Sequence, residues 1–500
     1  MMNKPTNKLK KENMTTRSIR NLYPKNVWGY FHELTRIPRP TGHMKEVTRY
    51  VMDFGKRLKL EVEQDKTGNV LIKKPATKGY EGAKTVILQS HLDMVPQKNS
   101  DVEHDFTRDP IEAYVDGEWA KARSTTLGAD NGIGCAMMMA VLEDNTLQHP
   151  AIEALFTVDE EVGMDGANGL EKDFLEGTLM INLDTEELGE LCIGCAGGRD
   201  VNVSFRFQPV EEIEEDDVAY KVSLRGLKGG HSGVQIHLGR ANANKLMNRF
   251  LKEVVSDYEA RIASVNGGSL RNAIPRESFV VLTIPEELSD DLIDLVAEYE
   301  SLFREDYAGV EESISFKAER TELPKWLLPV EVQDDLINAI EACHDGVVSY
   351  LADFPGVVES SFNLALVDTR EDRIEVKLLV RSSSESRKDW VCSSLESLFL
   401  LAGAKVEFSG DYSGWQPNAH SELLGTMERV YFEKYNDRPK VSVIHAGLEC
   451  GIIQSKLEQQ LDIVSFGPTI RGAHSPDEAV KIDSVGSSYE YLVEVLSRLS

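Results

Sequence analysis

The chain has 500 residues, too many for one hydrophobic core, so we expect two or three domains. Its formal charge of −28, from 83 acidic and 55 basic residues, argues against nucleic acid or an anionic membrane as a partner, because phosphate-binding surfaces need clustered Lys and Arg. Apolar runs such as Cys135–Leu142 are too short to span a bilayer.

The first 22 residues are polar and basic and contain no apolar stretch that could act as a secretory signal. We predict a disordered or weakly held tail there, with Met14 as an alternative start. The six cysteines are too few for a disulfide framework, and Cys192 and Cys195 have Gly-rich flanks that favour a structural role. These features predict a cytoplasmic protein.

The N-terminal third alternates short apolar strands with helices. Strands are predicted at 85–90, 152–158 and 179–183, and a helix at 133–142. Such alternation predicts an open sheet with helices on both faces. In sheets of this kind, functional side chains gather where strands end.

The pattern changes near residue 198, where alternating strands and longer helices begin. Within this region, segments 267–285 and 359–382 each run from Ser through Asn to a turn and a strand. We interpret this as an internal duplication of a β-α-β module.

After about residue 412 the first pattern returns, with a helix at 421–435, strands at 441–444 and 462–466, and a final helix. The predicted fold is α/β, a mixed sheet with helices on both faces, interrupted by an α+β domain of two similar β-α-β halves. The predicted boundaries are a tail at 1–22, a catalytic domain at 23–197 and 412–500, and an inserted domain at 198–411.

His91 and Asp93 follow the first of these strands. Side chains two residues apart on an extended chain share a face, so Asp93 could accept the ring N–H of His91 and orient the other nitrogen toward a metal. By itself, His-x-Asp is common in proteins without such a role.

Asp130 lies in GADNGIG, directly before the Met-rich helix. It could cap that helix. Alternatively, its two carboxylate oxygens could bridge two metals, and the sequence at this point leaves both interpretations open.

Glu160 and Glu161 are adjacent acids at the end of another strand. They could be solvated surface residues. If buried, they would repel each other unless a cation offset their charge, and one could then bind a metal while the other takes a proton from water.

Asp184 ends the third strand, and His474 lies in GPTIRGAHSPDEAV. Ser475 and Glu478 have capping-box spacing, so His474 is predicted at the start of a helix. A histidine that merely completes a loop is the alternative.

Taken together, two histidines and three carboxylates at strand ends can supply three ligands to each of two ions if one carboxylate is shared. This set of N and O ligands suits Zn, with Mn or Co as alternatives. Two such ions can polarise a scissile carbonyl. The candidate ligands are His91, Asp130, Glu161, Asp184 and His474.

The segments SHLDMV, GADNGIG, DEEVGMDGA, LMINLDTEE and GPTIRGAHSPDE resemble, in order, the metal-site blocks of the co-catalytic metallopeptidase family that includes aminoacylase and carboxypeptidase relatives. KGGHSG, LRNAIP, LLVRSSSES and HAGLECG are similar to its aminoacyl-histidine dipeptidase branch, and the resemblance begins near Val27.

The resemblance implies a role for each of these side chains. One metal would take His91, Asp130 and Asp184, and the other Asp130, Glu161 and His474. Glu160 would be the general base and Asp93 would orient His91.

The inserted domain would be a lid and a homodimerisation module. Within it, the resemblance implies that His231 helps to hold the oxyanion and that Asn272 and Arg381 bind the C-terminal carboxylate of the substrate. His445 would line the pocket for the N-terminal residue. From the residues alone, His231 could equally be a turn histidine and Arg381 a surface ion-pair partner.

The function implied is hydrolysis of Xaa-His dipeptides such as β-Ala-His, and of other unblocked dipeptides, by a metal-bound hydroxide. Two alternatives remain open. One is an aminoacylase or a tripeptidase or aminopeptidase with the same chemistry, and the other is a metal-dependent binding protein on a degenerate scaffold.

Overall fold

The computed structural model describes residues 18–500. The helices in this range are α1 (Lys25–Thr35), α2 (Lys45–Arg57), α3 (Ala129–Glu143), α4 (Asp165–Asn168), α5 (Ala243–Asp257), α6 (Ser289–Asp306), α7 (Val330–Ala342), α8 (Glu385–Leu401), α9 (Glu422–Tyr435), α10 (Glu449–Lys456) and α11 (Ile482–Arg498). Short 3₁₀ segments cover Ile19–Asn21, Ile236–Leu238 and Glu286–Leu288.

The strands are β1 (Glu61–Gln64), β2 (Val70–Lys74), β3 (Val86–His91), β4 (Ala113–Asp116), β5 (Trp119–Ala122), β6 (Ile152–Thr157), β7 (Leu179–Asn182), β8 (Glu190–Cys195), β9 (Gly197–Arg206), β10 (Asp217–Arg225), β11 (Gly230–His231) and β12 (Arg261–Gly267). They continue as β13 (Ala273–Ile274), β14 (Ser278–Pro285), β15 (Ser315–Thr321), β16 (Gly346–Tyr350), β17 (Val358–Thr369), β18 (Arg373–Ser382), β19 (Lys405–Tyr412), β20 (Lys440–Ile444), β21 (Asp462–Ser465), β22 (Ile470–Arg471) and β23 (Ala479–Lys481).

The chain divides into two compact units. The first contains the residues up to Cys192 together with His420–Ser442 and Lys456–Ser500, and the second contains Ile193–Ala419 and Val443–Ser455. The chain therefore leaves the first unit and returns to it, and the segment at 443–455 groups with the second unit.

The main sheet of the first unit has the strand order β1-β2-β6-β3-β7-β21-β8-β20. Strand β3 is parallel to both β6 and β7, whereas β1, β2 and β6 pair antiparallel. Every residue of β3, β6 and β7 is buried, as expected for central strands covered on both faces. Helix α3 is also buried along almost its whole length. The predicted α/β class with a mixed sheet is confirmed.

The second unit contains a nine-stranded sheet in the order β15-β10-β14-β12-β17-β18-β9-β19, with β16 paired to β17. Strands β12 and β17 meet in the middle through Asn266 and Gly267, opposite Asp368 and Val367. Outward from this contact, one side of the sheet continues through β14 and β10 to the edge strand β15. The other side continues through β18 and β9 to the edge strand β19. A duplicated module would produce this order, and the duplication itself stays a prediction.

The predicted N-terminal tail lies mainly outside the described residues. Its last part, from Ser18, contains a 3₁₀ turn whose Ile19 is fully buried, and Leu22 is buried as well. The packed chain therefore begins before residue 23.

None of the helices between residues 18 and 500 combines the length and the apolar composition that a membrane crossing requires.

Candidate metal centre

The three central strands of the first sheet end at one edge. His91 is the last residue of β3, and it lies opposite Thr157 at the end of β6. Asp184 follows β7 by two residues, and Glu161 follows β6 by four. Because β3, β6 and β7 are parallel, their carboxyl ends bring these side chains to the same edge.

The first cluster at this edge consists of His91, Asp130 and Asp184. The His91 Nε2 atom lies 3.1 Å from Asp130 Oδ1 and 3.5 Å from Asp184 Oδ1. The amide of Asn131 donates to the Leu183 carbonyl at 2.8 Å and to the Asp184 carboxylate. One potential ligand atom from each of the three residues lies within 4.8 Å of the others.

The second cluster shares Asp130 with the first. The Nε2 atom of His474 lies 3.2 Å from Asp130 Oδ2 and 2.9 Å from Glu161 Oε2. The two oxygens of Asp130 therefore face different histidines. His91 is 1% exposed and His474 is 57% exposed, so this pair of clusters extends from the interior to the surface.

Asp93 connects these clusters to Glu160. Its carboxylate lies 3.4 Å from His91 Nδ1 and accepts the backbone N–H groups of Glu160 and Glu161 at 3.0 and 3.2 Å. The Thr41 hydroxyl donates to the same carboxylate at 2.8 Å. Burial alone would raise the pKa of Asp93, but the neighbouring His91 ring and the hydrogen bonds from the two backbone N–H groups lower it to about 2.

The charges at this edge favour a bound cation. Burial, together with the charge of Asp130, raises the pKa values of Glu161 and Asp184. Within the described chain, the Oε1 atom of Glu161 is also buried without a hydrogen-bond partner. A divalent ion would offset the repulsion and give this oxygen a partner, so the residues present fit a metal centre.

His231, Arg381 and His445 converge in the second unit around Gly233. A Cβ atom on Gly233 would lie 2.1 Å from the His445 carbonyl oxygen, 3.0 Å from His231 Cε1 and 3.2 Å from Arg381 Nε. Burial and the charge of Arg381 lower the pKa of His445 to about 3, and the same two causes lower that of His231. Both rings are therefore neutral near pH 7.

Asn272, the fourth predicted residue of this group, is exposed beside His231. Its carbonyl accepts the N–H of Ser232 at 2.8 Å, and the β11–β13 pairing sets His231 opposite Ala273. The neighbouring backbone carbonyls of Arg271 and Ala273 accept from the buried amide of Asn363.

Three further polar residues that the sequence did not single out contact the predicted ones. The Tyr412 hydroxyl accepts from Arg381 Nη1 at 2.8 Å, the Ser361 hydroxyl lies 2.7 Å from His445 Nε2, and Thr41 contacts Asp93. Nothing in their local sequence marks these residues, because each contact joins distant parts of the chain.

Two local predictions were wrong. His474 does not stand at the start of a helix, because a turn from Gly472 leads directly into β23. The Glu478 carboxylate does not bond to Ser475. It accepts the backbone N–H groups of residues 127–130. The cap alternative for Asp130 also does not hold. Its two carboxylate oxygens face His91 and His474 instead of the first turn of α3.

The sequence model of Peptidase family M20/M25/M40 matches residues 87–498 of this chain. The chain belongs to this family. It is therefore a peptidase, and the relationship predicted from the sequence blocks is confirmed.

Among its M20 relatives, the cytosol non-specific dipeptidase of Escherichia coli K12 is 44% identical over 96% of this chain and 99% of the relative. The crystal structure of aminoacylhistidine dipeptidase from Vibrio alginolyticus has 43% identity and a TM-score of 0.92, covering 96% of this chain and 98% of that one. Aminopeptidase PepT from Bacillus cereus shares the fold at 16% identity, with a TM-score of 0.57 over 96% of this chain and 99% of that one.

Proposed function

We propose that this M20 peptidase is a dinuclear metal-dependent dipeptidase that cleaves Xaa-His dipeptides such as β-Ala-His, and other unblocked dipeptides. The observation that carries the proposal is the pair of clusters that share Asp130, each with three potential ligand atoms within 4.8 Å of one another. The names of the E. coli and Vibrio relatives support the substrate class.

In this proposal, His91, Asp130 and Asp184 hold one ion and Asp130, Glu161 and His474 hold the other. Zn is the proposed metal, with Mn or Co as alternatives, because the ligands are imidazole and carboxylate groups. When bound, two divalent ions supply Lewis-acid chemistry: they polarise a carbonyl and acidify water.

Glu160 is the proposed general base. Its carboxylate belongs to a group with His91 and Glu161 in which the potential ligand atoms lie within 4.8 Å of one another. It would take a proton from the attacking water and deliver it to the leaving amine. Asp93 would orient His91 and, through its bonds to the N–H groups of Glu160 and Glu161, would hold the backbone of both acids.

The residues of the second unit are proposed to bind the peptide. The Nδ1 atom of His231 accepts the backbone N–H groups of Gly233 and Val234 at 3.1 and 3.2 Å. In the neutral ring, Nε2 then carries the hydrogen and can donate to a carbonyl oxygen or to the oxyanion.

Arg381 is the proposed ligand of the C-terminal carboxylate of the substrate, together with Asn272, and His445 would line the pocket for the N-terminal residue. Arg381 is 5% exposed, and its Nε has no hydrogen-bond partner among the described residues. A planar guanidinium held by Tyr412 suits a carboxylate, and this recognition would limit the enzyme to short peptides.

The first test removes the proposed base. In Glu160→Ala, turnover of β-Ala-His should fall about 10²–10⁴-fold, because proton transfer loses its catalyst. Metal content, measured on the purified protein, should stay at the wild-type value since Glu160 is not a proposed ligand. Undiminished turnover would contradict the mechanism.

The substrate assignment is tested by comparing β-Ala-His, a tripeptide and an N-acetyl amino acid with the wild-type enzyme under identical conditions. Preference for the dipeptide supports the proposal, and preference for either of the others supports an aminoacylase or an aminopeptidase. Full metal loading without hydrolysis of any of them would indicate a binding protein.

Metal binding should tighten as pH rises. Hydrogen bonds to Asp130 and Glu161 raise the pKa of His474 to about 11 in the metal-free protein, so its ring holds a proton at neutral pH. An ion that binds Nε2 must displace that proton, and affinity for Zn²⁺ should rise about tenfold per pH unit for each proton released. Calorimetry between about pH 6 and 8, in buffers of different ionisation enthalpy, measures the release. Affinity that does not change with pH would contradict this assignment.

A cytoplasmic location and a homodimer formed through the second unit are also proposed. The name of the E. coli relative supports the location, and the family resemblance supports the dimer. Light scattering of the purified protein tests the oligomeric state.

A further inference from the structure

Glu478 is a buried acid beside the candidate metal centre that has no role in the proposed mechanism. Glu478 is 2% exposed, and its carboxylate accepts four consecutive backbone N–H groups. Oε2 accepts from Leu127 and Gly128 at 2.7 and 2.9 Å, and Oε1 accepts from Ala129 and Asp130 at 2.7 and 3.2 Å. Both oxygens are occupied by these N–H groups, so Glu478 is not itself a candidate ligand.

We call these four residues the Asp130 loop (residues 127–130). Within the described part of the chain, their N–H groups have no helical partners. The loop enters α3, but Asp130 and Asn131 have non-helical dihedral angles. Buried backbone N–H groups without acceptors are costly, and an anionic acceptor at the start of a helix is favoured. One carboxylate therefore satisfies the whole loop.

Arg39 holds the other side of the Asp130 loop. Its buried guanidinium donates to the Gly128 carbonyl at 2.5 Å, and to the carbonyls of Leu92 and Asp93 at 2.8 and 2.9 Å. Gly128 is needed at this point, since a Cβ atom there would lie 2.5 Å from Arg39 Nη2. The loop is thereby tied to the segment that carries His91 and Asp93.

Glu478 also lies four residues after His474, in the turn that carries this histidine. That turn is closed by the Ser475 N–H to the Gly472 carbonyl at 3.2 Å and by the Glu478 N–H to the Ser475 carbonyl at 3.1 Å. One side chain thus links the backbone that bears Asp130 to the backbone that bears His474. The side chains of Asp130 and His474, which lie 3.2 Å apart, are therefore also connected through Glu478.

We propose that Glu478 is a positioning residue of the metal centre, which fixes the Asp130 loop so that the two oxygens of Asp130 face both ion positions. The inference rests on the proposed metal-dependent function and extends it to a residue that does not contact the ions.

The test replaces Glu478 with Gln, which has the same size and shape. Whichever way the amide is turned, its NH₂ group faces two backbone N–H groups that then lose their acceptor. We expect Zn²⁺ affinity, measured by competition with a chromophoric chelator, to fall about 10–100-fold. The visible spectrum of the Co²⁺-loaded protein, which reports ligand geometry, should change as well.

Glu153→Gln is the matched control. Glu153 is 3% exposed, lies in the same unit, and its carboxylate accepts the backbone N–H groups of Glu176 and Gly177. This variant should keep the wild-type Zn²⁺ affinity and Co²⁺ spectrum, whatever its thermal stability.

The outcomes separate the inference from the proposed function. If the wild-type protein binds no Zn²⁺ or Co²⁺, the proposed function fails. If the wild type binds two ions and Glu478→Gln loses thermal stability but keeps its affinity and spectrum, Glu478 is merely structural and the inference is overturned. If Glu478→Gln does not fold, Glu478→Asp replaces it. Asp keeps the charge but is too short to reach all four N–H groups, so this variant should show the weakened affinity. Unchanged affinity in Glu478→Asp overturns the inference.

Discussion

Asp130→Asn is expected to remove the binding of two ions as a pair and to lower dipeptide turnover by about 10³-fold or more, equivalent to about 4 kcal/mol of transition-state stabilisation. Asp130 Oδ1 lies 3.1 Å from His91 Nε2 and Oδ2 lies 3.2 Å from His474 Nε2, so both clusters would lose a candidate ligand at once. Asn keeps the shape of the side chain but loses its charge, and its NH₂ group would face one of the two proposed ion positions. Metal analysis and steady-state kinetics measure the two effects.

The control for this change is Asp65→Asn in the same unit. Asp65 Oδ1 accepts the backbone N–H groups of Thr67, Gly68 and Asn69 at 3.0, 2.8 and 2.9 Å, so its role lies in a turn. Metal content and turnover should be unchanged in this variant. Two bound ions in Asp130→Asn would show that Asp130 is not the shared ligand.

Arg381→Met should raise KM for a dipeptide by about 10–100-fold, because the C-terminal carboxylate loses a charge-assisted, two-pronged hydrogen bond. Metal content should not change, since Arg381 lies in the other unit from the candidate ligands. The effect should nearly vanish for a dipeptide amide, which has no C-terminal charge. Arg381→Lys should show a smaller rise in KM than Arg381→Met. Lys keeps the positive charge but lacks the planar guanidinium that can donate two parallel hydrogen bonds to a carboxylate.

Arg373→Met is the control on the same strand, β18. Arg373 is partly exposed and pairs with Asp372 and Glu375 at 2.8 and 2.9 Å, away from the cluster around Gly233. It should leave KM unchanged. An equal rise in KM for the dipeptide and its amide in Arg381→Met would rule out carboxylate recognition by this side chain.

The strands that carry the candidate metal centre could be predicted because their signals are local. Residues 86–91 begin with three apolar residues and end in polar ones, and residues 152–157 are apolar apart from Glu153 and Thr157; short, mainly apolar runs of this kind form buried parallel strands. Once the strands are parallel, their carboxyl ends must meet at one edge. The sequence therefore suffices to predict that His91, Glu161 and Asp184 lie close together.

The misread helix start at Ser475 shows where local reasoning fails. Ser-x-x-Glu is a capping signal only if the Glu side chain returns to the Ser backbone. Here the Glu478 carboxylate accepts four backbone N–H groups that lie far earlier in the chain. One of them belongs to Gly128, 350 residues before Glu478. Among residues 18–500 those buried donors have no other acceptor, so the long-range contact prevails over the local one.

The sequence by itself determined the α/β class, the family and the residue types of the candidate metal centre, because these depend on periodicity and on short blocks of neighbouring residues. Only the tertiary structure decided that the two oxygens of Asp130 face different histidines, one of them 344 residues away. It also decided that Glu478 and Arg39 hold the loop between them. Such contacts depend on which buried donors and acceptors come together when the sheet and its loops pack. A local sequence pattern cannot predict them, because the partners are far apart in the chain.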